Sequence, residues 1–179
     1  MEILIIVLGV AVPFAFWKWR EANALNPSEA WPELAPFLEF KFADNPARLD
    51  GQWKGHNMRF TFDENAGEAV LQVGVRGQAG MRLELGTKAA IETEAGMIVH
   101  DRVELNDPNF EQRYVLRSTP KEIGEAAFDP NVRQQVADLP DLRILAQGET
   151  LNIRIEPIVD ADQIRALFDV AASVADSIN

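Results

Sequence analysis

Apolar and polar residues alternate over most of the chain after position 38, a pattern typical of strands that bury one face. The alternation predicts a series of short strands. Segments 69–75 and 81–85 are expected to form a hairpin with the glycine-rich residues 76–80 at its tip, and Gly55 is placed to turn one strand into the next. The predicted strands occupy 38–42, 58–62, 69–75, 81–85, 88–93, 97–105, 113–118, 142–146 and 151–155.

Helix start signals occur at four places, three of them before residue 140. Asn26 followed by Pro27 predicts a short helix through about residue 34, because Asn is a good cap and Pro fits the first helical position. Thr119-Pro120-Lys121-Glu122 reads as a capping box that opens a helix to about residue 128, and Asp129-Pro130 predicts a second helix before residue 140.

The clearest predicted helix closes the chain. Asp160 is its expected cap, and apolar residues then recur at helical spacing. We expect this amphipathic helix to cover one face of the sheet rather than to bind a partner helix. Its apolar positions are Ile164, Leu167, Phe168, Ala171, Val174, Ala175 and Ile178.

Residues 3–17 break the alternation, because they contain no charged residue. As a helix this segment is about 22 Å long, which suits the apolar part of a cleaved leader as well as a short membrane span. A core helix is a third alternative, although the apolar residues run all round the segment. The proposed anchor residues are Ile3, Leu4, Ile5, Ile6, Val7, Leu8, Val10, Val12, Phe14 and Phe16, with Gly9 and Ala11 as possible helix-packing contacts.

The flanking residues favour the anchor. A leader has positive charge before its apolar run, whereas Glu2 precedes this one. Trp17 and Trp19 fit the aromatic belt at a membrane interface, and Lys18 and Arg20 can extend toward lipid headgroups. The positive-inside rule then predicts a single-pass protein of the bacterial inner membrane with its domain on the cytoplasmic side.

These elements predict an α+β fold: a single N-terminal transmembrane helix, then a largely antiparallel sheet with the C-terminal amphipathic helix packed on it. The expected organisation is an anchor over 1–21, a juxtamembrane segment with a short helix over 22–37, and a soluble domain over 38–179. The net charge of −11 argues against nucleic acid as a partner, since binding to phosphate depends on Lys and Arg.

Catalytic and metal-binding patterns are weak in this sequence. The absence of cysteine excludes thiolate chemistry and disulfides. His100 and Asp101 are neighbours on a predicted strand, so their side chains should point to opposite faces, and His56 is expected to be a solvated ring beside a turn. We predict no cofactor, no metal site and no catalytic residue, although a facing pair of carboxylates would be invisible at this level.

Three stretches carry a resemblance: WPELA at 31–35, LDGQWKGHNMRF at 49–60 and NDPNFEQRYVLRS at 106–118. Together with the apolar start and the amphipathic end, they resemble a loose group of uncharacterised membrane-anchored bacterial proteins. The layout is also similar to small accessory subunits of bacterial photosynthetic or respiratory membrane complexes. The resemblance implies no activity.

The expected function is therefore a non-catalytic accessory or scaffold subunit that contacts membrane lipid and other subunits of a complex. A membrane-anchored domain that binds a small ligand or a peptide is the alternative, and a carboxylate-based hydrolase is the less favoured third one.

Overall fold

The computed structural model describes residues 26–95 and 101–179, which form an α+β domain with one large antiparallel sheet. A layer of helices lies on one side of the sheet, with the core buried between the two layers, and the short helix Lys88–Ala95 lies on the opposite side. The predicted α+β class, antiparallel sheet and C-terminal helix are confirmed. The nine strands within these two ranges are β1 Lys41–Ala43, β2 Arg48–Trp53, β3 His56–Asp63, β4 Glu68–Gly74, β5 Arg82–Thr87, β6 Arg102–Val103, β7 Tyr114–Thr119, β8 Leu142–Gln147 and β9 Thr150–Ile155.

The strands are ordered β1-β2-β3-β4-β9-β8-β5-β7-β6 across the sheet. The six described helices are α1 Pro27–Leu38, α2 Lys88–Ala95, α3 Pro108–Arg113, α4 Lys121–Ala127, α5 Pro130–Ala137 and α6 Ala161–Ile178.

Helix α6 is the centre of the helix layer. Asp160 caps it by accepting hydrogen bonds from the backbone N–H groups of Asp162 and Gln163, as the sequence predicts. The predicted apolar face is buried against β2, β4 and β9, with α1, α4 and α5 packed beside the helix. Phe168 is the aromatic centre of this contact: its ring stacks on Phe40 at 4.8 Å and meets the edge of Phe60 at 6.0 Å.

Helix α1 is longer than the sequence predicts and belongs to the same core. It extends to Leu38 and buries Trp31 completely, with the indole stacked on Phe60 at 4.7 Å. The Trp31 Nε1–H donates a 2.9 Å hydrogen bond to the Ile158 carbonyl oxygen, just before α6. The core therefore includes residues of the predicted juxtamembrane segment, and β1 begins only at Lys41.

The predicted hairpin of 69–75 with 81–85 is wrong. Strand β4 pairs with β3 and β9, whereas β5 pairs with β7 and β8, so the β8–β9 hairpin lies between them. The glycine-rich residues 76–80 cross over the turn of that hairpin. A Cβ atom at Gly77 would collide with the Gly148 carbonyl oxygen, so glycine is required there by a close backbone approach.

Three other local predictions change in the structure. Segment 88–93 is part of helix α2 rather than a strand, because alanine, lysine and glutamate favour helices and are depleted in strands. Only Arg102–Val103 of segment 97–105 is assigned to a strand among the residues described. Helix α4 forms as predicted, but Pro120 occupies its cap position and no side chain caps it.

The predicted anchor over 1–21 lies outside the described residues. None of the helices within 26–95 and 101–179 combines the length and apolar composition that a membrane crossing requires. The transmembrane prediction for residues 3–17 therefore stays a prediction.

Replacing Gly51 by Ala should destabilise the domain. A Cβ atom there would lie 2.6 Å from the Phe40 ring, which is itself fixed against Phe168. We expect the free energy of unfolding to fall by about 1–3 kcal/mol in urea titrations of the G51A variant. Gly74→Ala is the matched control, because a Cβ atom at Gly74 would have no neighbour within 4 Å; equal losses in both variants would contradict the packing argument.

Candidate functional site

The side of the sheet opposite α6, which we call the open face, carries mostly polar side chains. Directly paired residues of antiparallel strands share a face, so the strand register defines this surface. Its central row runs across every strand: Lys41, Asp50, Arg59, Gln72, Asn152, Leu145, Glu84, Arg117 and Arg102.

Basic side chains are concentrated on the open face. The strand positions of this face carry the acidic residues Asp50, Asp63, Glu68 and Glu84. Its basic residues are twice as numerous, although acidic residues outnumber basic ones 28 to 17 in the whole chain. They are Lys41, Arg48, Arg59, Arg82, Arg102, Arg117, Arg143 and Arg154.

One cluster on this face joins β2 to β3. Asp50 accepts from the Arg48 Nε–H at 2.8 Å through Oδ2 and from the Arg59 Nε–H at 2.7 Å through Oδ1. Arg48 and Arg59 are 37% and 55% exposed, so one carboxylate holds two guanidinium groups at the surface. Lys41 is the register partner of Asp50 on β1 and adds a further positive charge.

The pKa of Asp50 reflects two opposing effects. Partial burial raises the pKa of the carboxyl, but the hydrogen bonds and positive charges of Arg59 and Arg48 outweigh burial. The pKa therefore lies below its ordinary value of 3.8, and Asp50 is ionised at neutral pH.

A second cluster surrounds Glu84 on β5, whose side chain is only 2% exposed. Its Oε1 contacts Arg143 Nη2 at 2.8 Å, and its Oε2 contacts Arg82 Nη2 at 3.2 Å and Arg117 Nη1 at 3.4 Å. These arginines come from β8, β5 and β7, so one buried carboxylate ties three neighbouring strands together.

Helix α2 covers the β5–β7 end of the open face. It contacts both strands, and Ile91 lies against Gly86, where a Cβ atom would be 3.1 Å from the Ile91 side chain. Val115, the register partner of Gly86, is buried as well. The exposed part of the open face is therefore formed by β1–β4, β9 and β8, where Arg59, Gln72 and other polar side chains reach solvent.

A shallow cleft of about 360 Å³ interrupts this exposed part. It lies where Gly74, which has no side chain, is paired with Thr150 on β9. Asn57, Arg59 and Gln72 also line it, so amide, hydroxyl and guanidinium groups surround the depression.

His56 is not the solvated ring that the sequence suggests. Its side chain is 11% exposed, and Nε2 lies 2.9 Å from Asp176 Oδ1 in the last turn of α6. Trp53 Nε1–H also donates to Asp169 Oδ1 at 2.7 Å. These contacts hold α6 against the β2–β3 hairpin, which is a structural role.

Several other polar side chains occupy structural positions, and the remaining residues singled out from the sequence lie outside the described part. Asp138 accepts from Gln134, and Asp141 accepts from Arg113 at 2.8 Å. Ser118 is buried and donates to the Pro120 carbonyl oxygen. His100 and the proposed membrane residues lie outside the described ranges; these residues are Ile3, Leu4, Ile5, Ile6, Val7, Leu8, Gly9, Val10, Ala11, Val12, Phe14, Phe16, Trp17, Lys18, Trp19 and Arg20.

Sequence reasoning missed the basic open face, although a signal was present. Several predicted strands carry arginine between two apolar residues, as in Met58-Arg59-Phe60 and Ile153-Arg154-Ile155. A period of two residues places each arginine on the face opposite the core. Only the strand order shows that these arginines share one surface.

Comparison with known proteins gives a likeness of fold. No family model matches the chain, and no curated protein matches it. A solved structure with a similar fold is the crystal structure of the mycobacterial trehalose monomycolate transport factor A, TtfA. It shares 11% sequence identity with this chain at a TM-score of 0.57, and the match covers 86% of this chain and 94% of that one.

Removing the charge of Glu84 should weaken the sheet. In an E84Q variant the three arginines lose a shared carboxylate, and we expect the free energy of unfolding to fall by about 2–3 kcal/mol in urea titrations. The loss stays below that of a fully buried pair because the arginines are partly exposed. Glu68→Gln, which removes an exposed 3.6 Å pair with Arg154, is the control and should change stability by less than about 0.5 kcal/mol.

The titration of Asp50 should depend on its two arginines. By carboxyl NMR we expect a midpoint below 3.8 in the native protein and above 3.8 in the R48Q/R59Q variant, where burial remains without the guanidinium groups. A midpoint that does not move between the two proteins would contradict the assigned cause.

The lowered pKa of Asp50 determines how its contribution to the free energy of unfolding changes with pH. The Asp50 contribution, measured as the difference in unfolding free energy between the native protein and D50N, should be constant above about pH 5. It should decline as the pH falls through the folded-state pKa of Asp50.

Proposed function

We propose that this chain is a non-catalytic accessory subunit of a bacterial membrane protein complex. In this proposal the apolar segment 3–17 tethers the chain to the inner membrane, and the open face contacts another subunit. The observation that carries the proposal is the exposed part of the open face, which presents oriented arginines from an otherwise acidic chain.

The distribution of charge supports a contact through this face. Separated patches of opposite sign steer partners and fix their orientation. The open face carries a surplus of basic groups, so the rest of the chain is more acidic than the net charge of −11 suggests. A partner with an acidic patch would be attracted to one side of the domain and repelled from the others.

The edges of the sheet are less suited to a partner. Strand β1 has three residues and β6 has two, so each edge offers few free backbone groups for an added strand. This observation favours the open face over a sheet edge as the surface that contacts a partner.

The place of α1 supports confinement near the bilayer. Residues 22–26 separate the proposed anchor from Pro27, and a chain of five residues spans at most about 18 Å. Since Trp31 fixes α1 in the core, the domain would stay close to the membrane and meet neighbouring subunits at a high effective concentration. With Lys18 and Arg20 on the domain side, the proposed location is cytoplasmic.

Mild detergent extraction of native membranes, followed by size-exclusion chromatography, tests this proposal. The full-length chain should co-migrate with larger subunits, and deletion of residues 1–21 should release it from the membrane fraction. A full-length chain that runs as a lone subunit in several mild detergents would contradict the accessory role.

A further inference from the structure

The two guanidinium groups at Asp50 retain most of their hydrogen-bonding capacity. Arg48 and Arg59 each use the Nε–H for Asp50, which leaves four Nη hydrogens on each side chain. Within residues 26–95 and 101–179, no protein acceptor is found for these hydrogens. The carboxylate restricts both side chains, so less conformational entropy is lost when a ligand binds.

We infer that Arg48 and Arg59 form a binding site for carboxylate side chains of a partner protein, with Asp50 as the positioning residue that orients both guanidinium groups. The inference rests on the proposed function, because it names the chemistry of the partner that the open face would contact. Guanidinium and carboxylate groups are matched in charge and geometry, and each pair can form two parallel hydrogen bonds.

The surroundings of the site favour an extended acidic segment. The neighbouring cleft of about 360 Å³ is lined by Asn57, Gln72 and Thr150, whose amides and hydroxyl can pair with peptide groups. Arg154 lies on the same face two strands beyond Arg59, about 12 Å away from ideal strand and residue spacings, where it could meet a second acidic residue.

An anionic lipid surface fits the site less well. Asp63 and Glu68 lie on the same face as the arginines, and the net charge of −11 opposes approach to a continuous negative surface. A segment with a few carboxylates can contact the arginines while avoiding these acidic residues. The structure therefore favours a protein partner over a membrane.

A peptide titration tests the site on the full-length chain in non-ionic detergent micelles. The probe is a fluorescein-labelled ten-residue peptide in which Glu and Thr alternate, and the same peptide with Gln in place of Glu is the reference. We expect the Glu peptide to bind and its affinity to fall at least tenfold in the R48Q/R59Q variant. R165Q is the matched control, because Arg165 is a 42% exposed arginine of α6, on the opposite side of the sheet, and the affinity of this variant for the Glu peptide should stay within twofold of the native value.

The D50N variant separates an oriented site from simple charge attraction. This substitution makes the open face more positive, so simple attraction predicts tighter binding of the Glu peptide. Loss of orientation predicts binding that is about threefold to tenfold weaker. Tighter or unchanged binding in D50N would overturn the positioning role, and equal binding of the Glu and Gln peptides would overturn the carboxylate site.

Two further measurements distinguish other anionic ligands from a protein partner and test the role of the guanidinium geometry. Any binding of inorganic phosphate, or of phosphatidylcholine vesicles with 30% phosphatidylglycerol, should be the same in the native protein and in R48Q/R59Q. Binding of either probe that depends on Arg48 and Arg59, without binding of the Glu peptide, would overturn the assignment to a protein. R59K keeps the charge at an exposed position and should give an intermediate loss, whereas affinity equal to that of the native protein would contradict the paired geometry.

Failure of this inference and failure of the proposed function are separable. If the chain co-migrates with a complex that R48Q/R59Q leaves intact, the carboxylate site is wrong while the accessory role stands. If the peptide binds as expected but the chain extracts alone, the site stands and the accessory role fails.

Discussion

The unequal burial of the two faces of the sheet, one covered throughout and the other covered only at its β5–β7 end, is the constraint on which the rest of this structure depends. A single layer of helices, centred on α6, covers the apolar side of the strands. The polar side chains on the exposed part of the other side must therefore find partners on neighbouring strands or in solvent. Pairing of arginine with carboxylate across strands meets this requirement. Asp50 and Glu84 each lie between arginines of their own and neighbouring strands, at opposite ends of the same row.

The two carboxylates differ in what they leave exposed. Glu84 is buried beneath its arginines at the end of the sheet covered by α2, and it mainly joins β5, β7 and β8. Asp50 lies where no described helix covers the face, and its arginines remain accessible. The same kind of ion pair therefore supports stability at one end of the sheet and is available for recognition at the other.

Helix α1 and the open face are linked through the core. Trp31 binds the backbone at Ile158 and stacks on Phe60 of β3, and Arg59, the neighbour of Phe60, points to the open face. A partner on that face would thus contact a strand that packs directly against α1. In the proposed accessory role, this packing would fix the orientation of the partner relative to α1.

Local sequence patterns within residues 38–179 were enough to predict much of the secondary structure. Alternation with a period of two residues identified most strands, and Asp160 with the apolar positions from Ile164 to Ile178 identified α6, because these are local patterns. Segment 88–93 forms helix α2 instead of the expected strand, because its alanines and charged residues favour a helix. The tertiary structure alone decided that the β8–β9 hairpin separates β4 from β5, since strand pairing depends on distant contacts. It alone brought Arg48, Asp50 and Arg59 onto the same surface as Glu84 and Arg143, because alternation fixes the face of each residue but not the order of the strands.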